Sequence, residues 1–382
     1  MKLASIMELI PSEEISAIGK EIGVDSKNSK ITGSFILKSF IRCSLLHRPI
    51  SLRSIESMCN NRPSLSDLLK VKSPSKSKID HSSLGKRLNK INPDYFAKIY
   101  ESVVSKADKI LPNNKDKSLY RFDSTITTFA GRLIKDGLNA GGTGKENQIK
   151  LTIGVKGCLP SSVRFCEDPR EVSEDIALVK AINAAKLKQD DVLLFDRGIS
   201  KNSTYQDFSE RGIKFVTRIK CNRTYHVVEE KLVNYEGNLQ IISDEIINFY
   251  NRSAKPIDNN LRLIKAINAN NTEIWFLSNL LEASILDITG LYARRWDIEV
   301  FFKFIKQHLQ FKQFISHSLN GMKVYMYCLL IAAILFLLFK HLNNKTGFKI
   351  AMLEFTMAIE KEIIKDIILI SGGNLQLVQH LL

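Results

Sequence analysis

Beyond residue 118 apolar residues come in short β-branched and aromatic runs set off by turn residues: LYRFDSTITTF, NQIKLTIGVKG, SSVRFCED, DVLLFDRG and IKFVTRIK. Such runs suit a pleated, half-buried surface and predict five strands. Between the third and fourth, EVSEDIALVKAINAAKLKQ switches to helical spacing, opened by Ser173 with acids in its first turn. Between the fourth and fifth, TYQDFSERG predicts a shorter helix stopped by Gly212. Strands and helices in that order describe a mixed α/β sheet. Residues 222–271 then read as a β-rich insertion, with TYHVVEEKLV, NLQIIS and LRLIKAIN as its strands, before EIWFLSNL returns to the main body.

The two ends of the chain are patterned as helices. SFILKSFIRCSLL has helical spacing, and PSLSDLLK carries a capping box in Ser64 and Asp67. Next, Lys70, Lys72, Lys76, Lys78, Lys86, Arg87 and Lys90 crowd a short segment for which Ser82 or Ser83 is the expected N-cap. A helical module pressing Lys86 and Arg87 against DNA is one reading, and a basic surface loop and helix is the other. VYMYCLLIAAILFLLF, residues 324–339, is an uncharged run of sixteen bracketed by Lys323 and Lys340. A bilayer core asks for about twenty, so this run predicts a core helix behind the sheet, with membrane insertion as the rival.

One helical stretch, YARRWDIEVFFKFIKQHL from Tyr292 to Leu309, has polar residues in an unusual arrangement. At about 100° per residue, Tyr292, Arg295, Glu299, Lys303 and Lys306 fall in one stripe roughly 80° wide. Leu291, Ile298, Phe301, Phe302, Phe304, Ile305 and Leu309 fill the arc that faces a core. A solvated face with Arg295 and Glu299 as an ordinary i,i+4 pair is the plain alternative, so the rest of the chain must decide.

Composition narrows the choice. The 382 residues are 44% hydrophobic and 25% charged, those of a globular protein with material for two or three domains. A formal charge of +15 attracts polyanions, with nucleic acid ahead of anionic membrane as partner. The six cysteines form no C-x-x-C pair, against a zinc site or disulfide scaffold and in keeping with a reducing cytosol. The start, MKLASIMELIPSEE, has too short an apolar run before its acids for a secretory signal.

Two aspartates end predicted strands in apolar company, Asp123 in YRFDST and Asp196 in VLLFDRG. A charge there is costly unless paired or ligated, and strand ends are where α/β sheets present reactive groups. With Glu299 they would make an oxygen-rich site suited to Mg²⁺ or Mn²⁺. Such a site holds two divalent ions about 4 Å apart, one activating the attacking oxygen and the other stabilising the leaving oxygen of a phosphodiester. Arg295 and Lys306 would then face phosphate oxygens, and Tyr292 would donate to the same backbone.

Tyr292, Arg295, Glu299 and Lys306 fit Y-x-x-R-x-x-x-E-x-x-x-x-x-x-K without a gap. That spacing resembles the signature of bacterial insertion-sequence DDE transposases of the IS-four type, and the contexts of Asp123 and Asp196 look like that family's two aspartate motifs. The likeness covers about residues 118 to 340. It implies a ribonuclease-H-like core at 116–221 and 272–340, interrupted by the insertion at 222–271. A helical DNA-binding region at 1–115 and a helical tail at 341–382, a candidate dimer contact, complete the expected plan. It further implies that Asp123, Asp196 and Glu299 bind two Mg²⁺ ions, nick transposon ends and join the freed 3′-OH to target DNA, often through a hairpin. The partners would be double-stranded DNA and a second copy of the chain, in the cytoplasm. Trp275 resembles a family tryptophan that stacks on a flipped base, although a core aromatic is the alternative. Arg218 and Lys220 look like residues that hold the DNA backbone, and Arg223 is a further candidate.

Three functional readings follow: an active transposase, a transposase-derived DNA-binding protein without catalysis, and a membrane-associated basic protein anchored by 324–339. His308 and His317 read as structural, because hard Mg²⁺ prefers oxygen. His81 beside Ser82 and Ser83 could imitate part of a hydrolase site, but a bare His-Ser neighbour fixes no geometry. GGTGKENQ does not match phosphate-loop spacing and reads as a turn.

Overall fold

The computed structural model describes residues 6, 8–26, 29–46, 51–61, 79–111, 118–128, 148–168, 171, 173–251, 253–311, 315–316 and 318–378. The capping box at Ser64, the lysines at 70–78, His317 and all of GGTGKENQ but Gln148 lie outside these residues.

Helices α1 (Ser12–Ile22), α2 (Gly33–Leu45), α3 (Leu52–Asn61), α4 (His81–Lys90) and α5 (Asp94–Ile110) precede the sheet. Gly23 ends α1 in the left-handed region at φ 65°, and the Thr32 hydroxyl accepts from Phe35 N to start α2. The cap of α4 is Asp80 rather than Ser82 or Ser83: its carboxylate accepts from Ser83 N at 3.3 Å. An anionic acceptor serves the helix N-terminus better than a hydroxyl there.

Among the described residues, nine strands make one mixed sheet: β1 (Leu119–Thr128), β2 (Gln148–Lys156), β3 (Leu159–Phe165), β4 (Val192–Phe195), β5 (Lys214–Ile219), β6 (Tyr225–Glu230), β7 (Gln240–Phe249), β8 (Leu261–Ile267) and β9 (Glu273–Ser278). Their order is β3-β2-β1-β4-β5-β9-β8-β7-β6. β1, β4 and β5 run parallel, and the remaining pairings are antiparallel. β6, β7 and β8 extend the main sheet, because β9 pairs with β5 on one side and β8 on the other.

Helices α6 (Glu174–Ala184) and α7 (Asn202–Glu210) cover one sheet face, packing Leu178, Ile182, Tyr205 and Phe208 against Phe122, Leu193, Phe195 and Phe215. The opposite face carries α8 (Ile285–Ala293) over Leu194, Val216 and Phe276, and α9 (Trp296–His308) beside β1 and β2. Helix α10 (Leu319–Leu342) holds the apolar run, buried against α2, α4, α5, β3 and α11 (Lys349–Ile370). It is long and apolar enough to cross a membrane, but 89% of its most apolar window lies inside the fold. Its burial is that of a core helix. A short α12 (Leu375–Val378) follows.

The stretch from Tyr292 to Leu309 is not one straight helix. Residues 294 and 295 keep right-handed helical dihedrals, yet the ladder tightens: Arg295 N, Asp297 N and Ile298 N donate three residues back to Tyr292, Arg294 and Arg295. At this junction Arg121 of β1 donates from Nε to the Arg294 carbonyl at 2.7 Å, beside the Asp297 N that also donates to it.

Candidate active site

The sheet register builds the site. Arg121 pairs with Leu194 across the parallel β1–β4 ladder, and the same offset carried two residues on sets Asp123 level with Asp196, just past the end of β4. Thr217 pairs with Phe195, so one residue on, Arg218 of β5 stands level with Asp196. Level residues on neighbouring strands share a face. Here it is the face under α8 and α9, where Phe276 of β9, opposite Arg218, packs edge-on against the Tyr292 ring at 5.4 Å.

A chain of hydrogen bonds links these residues. Arg218 donates to both Asp196 oxygens at 3.1 Å, and the Tyr292 hydroxyl donates to Asp196 Oδ1 at 3.0 Å. Arg295 Nε donates to that hydroxyl at 3.1 Å, and its Nη2 reaches Glu299 Oε1 at 2.5 Å. Both guanidiniums also lie over the Tyr292 ring. Asp123 and Glu299 line one groove of about 510 Å³ with Phe302, Lys303, Lys306 and Gln307. Lys306 is exposed at its mouth with Nζ over the Phe302 ring.

The two aspartates differ electrostatically. Burial pushes the Asp123 carboxyl up to about 6; the Ser124 N–H and Arg295 oppose this, while Glu174 and Glu299 add to it. Burial pushes Asp196 the same way, but the Arg197 N–H, Arg218 and Arg295 outweigh it and hold Asp196 below its ordinary value. Burial and the nearby Asp196 raise the Tyr292 hydroxyl to about 12, so it stays a donor.

An excess of carboxylate oxygen around Asp123 suits a hard divalent cation. The three acids do not draw together in one set within 4.8 Å; among the described residues the set that does is Glu56, Asp80 and His81. Arg295 stands between Glu299 and the Tyr292–Asp196 pair. A cation shared by Asp123 and Glu299 therefore competes with that guanidinium for Glu299.

Other expected residues sit elsewhere. Trp275 is 9% exposed on the other sheet face, edge-on to Tyr225, with its Nε1 donating to Glu273. Alternation along β9 sends Phe276 toward the site and Trp275 away from it. Arg87 donates to the Ile31 and Val24 carbonyls and pairs with Asp25, holding the N-terminal helices together instead of facing outward. Lys86 and Lys220 are exposed. Arg223 donates to Asn202 and the Ile199 carbonyl.

Two residues near the site escaped sequence reasoning. Glu174 accepts from Ser124 Oγ at 3.1 Å and pairs with buried Lys150; Gly198 lets it approach, since a Cβ there would meet the Glu174 side chain at 2.8 Å. Arg121 is the other: a charge between Tyr120 and Phe122 inside a strand was the available signal.

Comparison with known proteins places this geometry. Residues 114–335, more than half of the chain, match the family described as the transposase DDE domain. A "Putative transposase y4zB" of Sinorhizobium fredii is 28% identical over 155 residues, 40% of this chain and 44% of that protein. A "Probable transposase for insertion sequence element IS5377" of Geobacillus stearothermophilus is 21% identical over 359 residues, 92% of this chain and 88% of that protein. A piggyBac transposase, solved as a synaptic complex with hairpin DNA, superposes with a TM-score of 0.52 at 11% identity, over 95% of this chain and 81% of that one. That likeness is one of fold, and it bears out the ribonuclease-H-like mixed sheet. The chain belongs to the transposase DDE domain family and is a DNA transposase.

Proposed function

We propose that the protein cuts transposon ends and joins the freed 3′-OH to target DNA, with Asp123, Asp196 and Glu299 holding two Mg²⁺ ions for which Mn²⁺ substitutes. The observation that carries this reading is the register: two aspartates level on adjacent parallel strands, facing a helix that brings Glu299 into the groove of Asp123. When bound, the cations supply an activated oxygen nucleophile and charge stabilisation at the leaving oxygen. Arg295, Arg218 and Tyr292 hold the acids in place and offer donors to a phosphate that displaces them. Lys306 and Lys303 line the groove as cations for the DNA backbone. The spacing of Tyr292, Arg295, Glu299 and Lys306 supports assignment to the IS-four type.

In this reading residues 1–115 bind DNA, with Lys86 and Lys220 as exposed phosphate contacts, and the core runs over 116–221 and 272–340 around the insertion at 222–271. The tail at 341–382 joins two copies on paired ends, in the cytoplasm. Cleavage of a labelled duplex bearing the element's inverted repeats, with Mg²⁺ and with Asp123→Ala as control, tests the proposal. Cutting by wild type alone is expected. DNA binding without cutting by either protein would instead identify a transposase-derived binding protein.

A further inference from the structure

We propose that Arg121 is a positioning residue for the reaction, a clamp that seats the glutamate-bearing helix α9 on strand β1. The proposal rests on the carboxylate reading above. The Arg121 side chain is 0% exposed, and its guanidinium spans three elements. Nε donates to the Arg294 carbonyl at the α8–α9 junction at 2.7 Å; Nη1 donates to the Gly157 carbonyl in the β2–β3 turn at 3.0 Å and to its own strand at Leu119, at 3.3 Å. Nη2 lies 2.9 Å from Asp297 Oδ2 in the first turn of α9.

A buried guanidinium is costly unless its charge and donors are met: Nε and Nη1 donate to three carbonyls, and Nη2 faces the Asp297 carboxylate as an ion pair without hydrogen-bond alignment, so this arrangement ties the three elements together. Arg121 and Asp123 are alternate residues of β1 and point to the same face. On that face Arg121 grips the start of α9 while Asp123 shares a groove with Glu299, two residues beyond Asp297. The clamp thus sets both where α9 begins and how far Glu299 stands from Asp123. A misplacement of about 1 Å in such a site lowers turnover on the order of 10²-fold.

Full-length Arg121→Lys and Asp297→Asn test this, read by melting, by Mn²⁺ affinity from electron paramagnetic resonance on the protein alone, and by cleavage of the inverted-repeat duplex. Lysine keeps the charge but cannot meet the Arg294 and Gly157 carbonyls and Asp297 together. Asp297→Asn removes a half-exposed partner without emptying the core. Arg121→Lys is expected to melt below wild type, since a buried charge then lacks part of its partners, and Asp297→Asn close to it. Compared as folded protein, Arg121→Lys is expected to bind Mn²⁺ about tenfold more weakly and to lose kcat about 10²-fold with KM for DNA unchanged, and Asp297→Asn to lose less of both. Folded variants with wild-type Mn²⁺ affinity and kcat would overturn the proposal, as would losses that only track unfolded protein. Failure of the carboxylate reading shows separately, as wild-type protein that binds Mn²⁺ no better than Asp123→Ala, and the clamp's catalytic role falls with it.

Discussion

At the residue scale, Asp123 and Asp196 share a type and a register level but not an environment. Burial, with Glu174 and Glu299 adding to it, raises the Asp123 carboxyl to about 6, whereas the Arg197 N–H, Arg218 and Arg295 outweigh burial at Asp196 and hold it below its ordinary value. The folded chain binds the Asp123 proton more tightly than the unfolded one, whose aspartates titrate near 4. The stabilising contribution of that proton is complete below about pH 4 and is lost as pH rises through about 6. Asp123→Asn is therefore expected to melt above wild type at pH 8, by at most about 3 kcal/mol at roughly 1.4 kcal/mol per unit, and level with it at pH 4. Equal melting at both pH values would contradict this. Because a ligand carboxylate must be deprotonated, Mg²⁺ affinity is expected to fall as pH drops below about 6. Isothermal titration between pH 5 and pH 8 would check the trend. The acids were legible in the sequence because a charge at an apolar strand end needs a reason. The pairing of Arg87 was not, since a lysine-rich surface and a half-buried clamp look alike until the acceptors of Arg87, on Ile31, Val24 and Asp25, are in view.

At the scale of elements, the strands were legible because β-branched runs between turn residues repeat locally. Each of the nine strands overlaps a run picked out by pattern. The break at Arg294 was not legible, and the side chain that docks on its carbonyl lies 173 residues away in β1. Nor could pattern show Trp275 turning from the site, because alternation along β9 gives two faces and only the register with Arg218 says which one holds the acids. Helix α10 shows the opposite case, an apolar run whose fate follows from burial. Phe336 is fully buried, stacked on Phe304 of α9 at 4.8 Å and near Phe348 and Phe355. Phe336→Ala is expected to destabilise the chain by about 3–5 kcal/mol, measured by urea denaturation. Trp296→Ala in the first turn of α9, at a position 61% exposed, is expected to change stability little. A small effect at Phe336 would mean that α10 is not the shared core of the terminal helices and α9.

At the scale of the whole molecule, one sheet carries both the aspartate strands and the inserted strands β6 to β8, while the helices at the two chain ends meet around α10. Sequence pattern separated the inserted strands from the core but did not show that they prolong the same sheet, which depends on β9 serving two partners. If Lys and Arg side chains of a chain with formal charge +15 neutralise phosphates, its affinity for duplex DNA falls with salt. Fluorescence anisotropy between 50 and 200 mM salt is expected to show at least about a tenfold loss, and a flat response would argue against phosphate contacts as the main grip. The central claim is that Asp123, Asp196 and Glu299 act on shared divalent cations, with Arg295 giving up Glu299. Anomalous diffraction from crystals of the protein with inverted-repeat DNA and Mn²⁺ tests it most directly. Manganese density bounded by those three carboxylates is expected, with the Arg295 guanidinium moved to a phosphate. Manganese absent from that groove while Arg295 stays on Glu299 would contradict it.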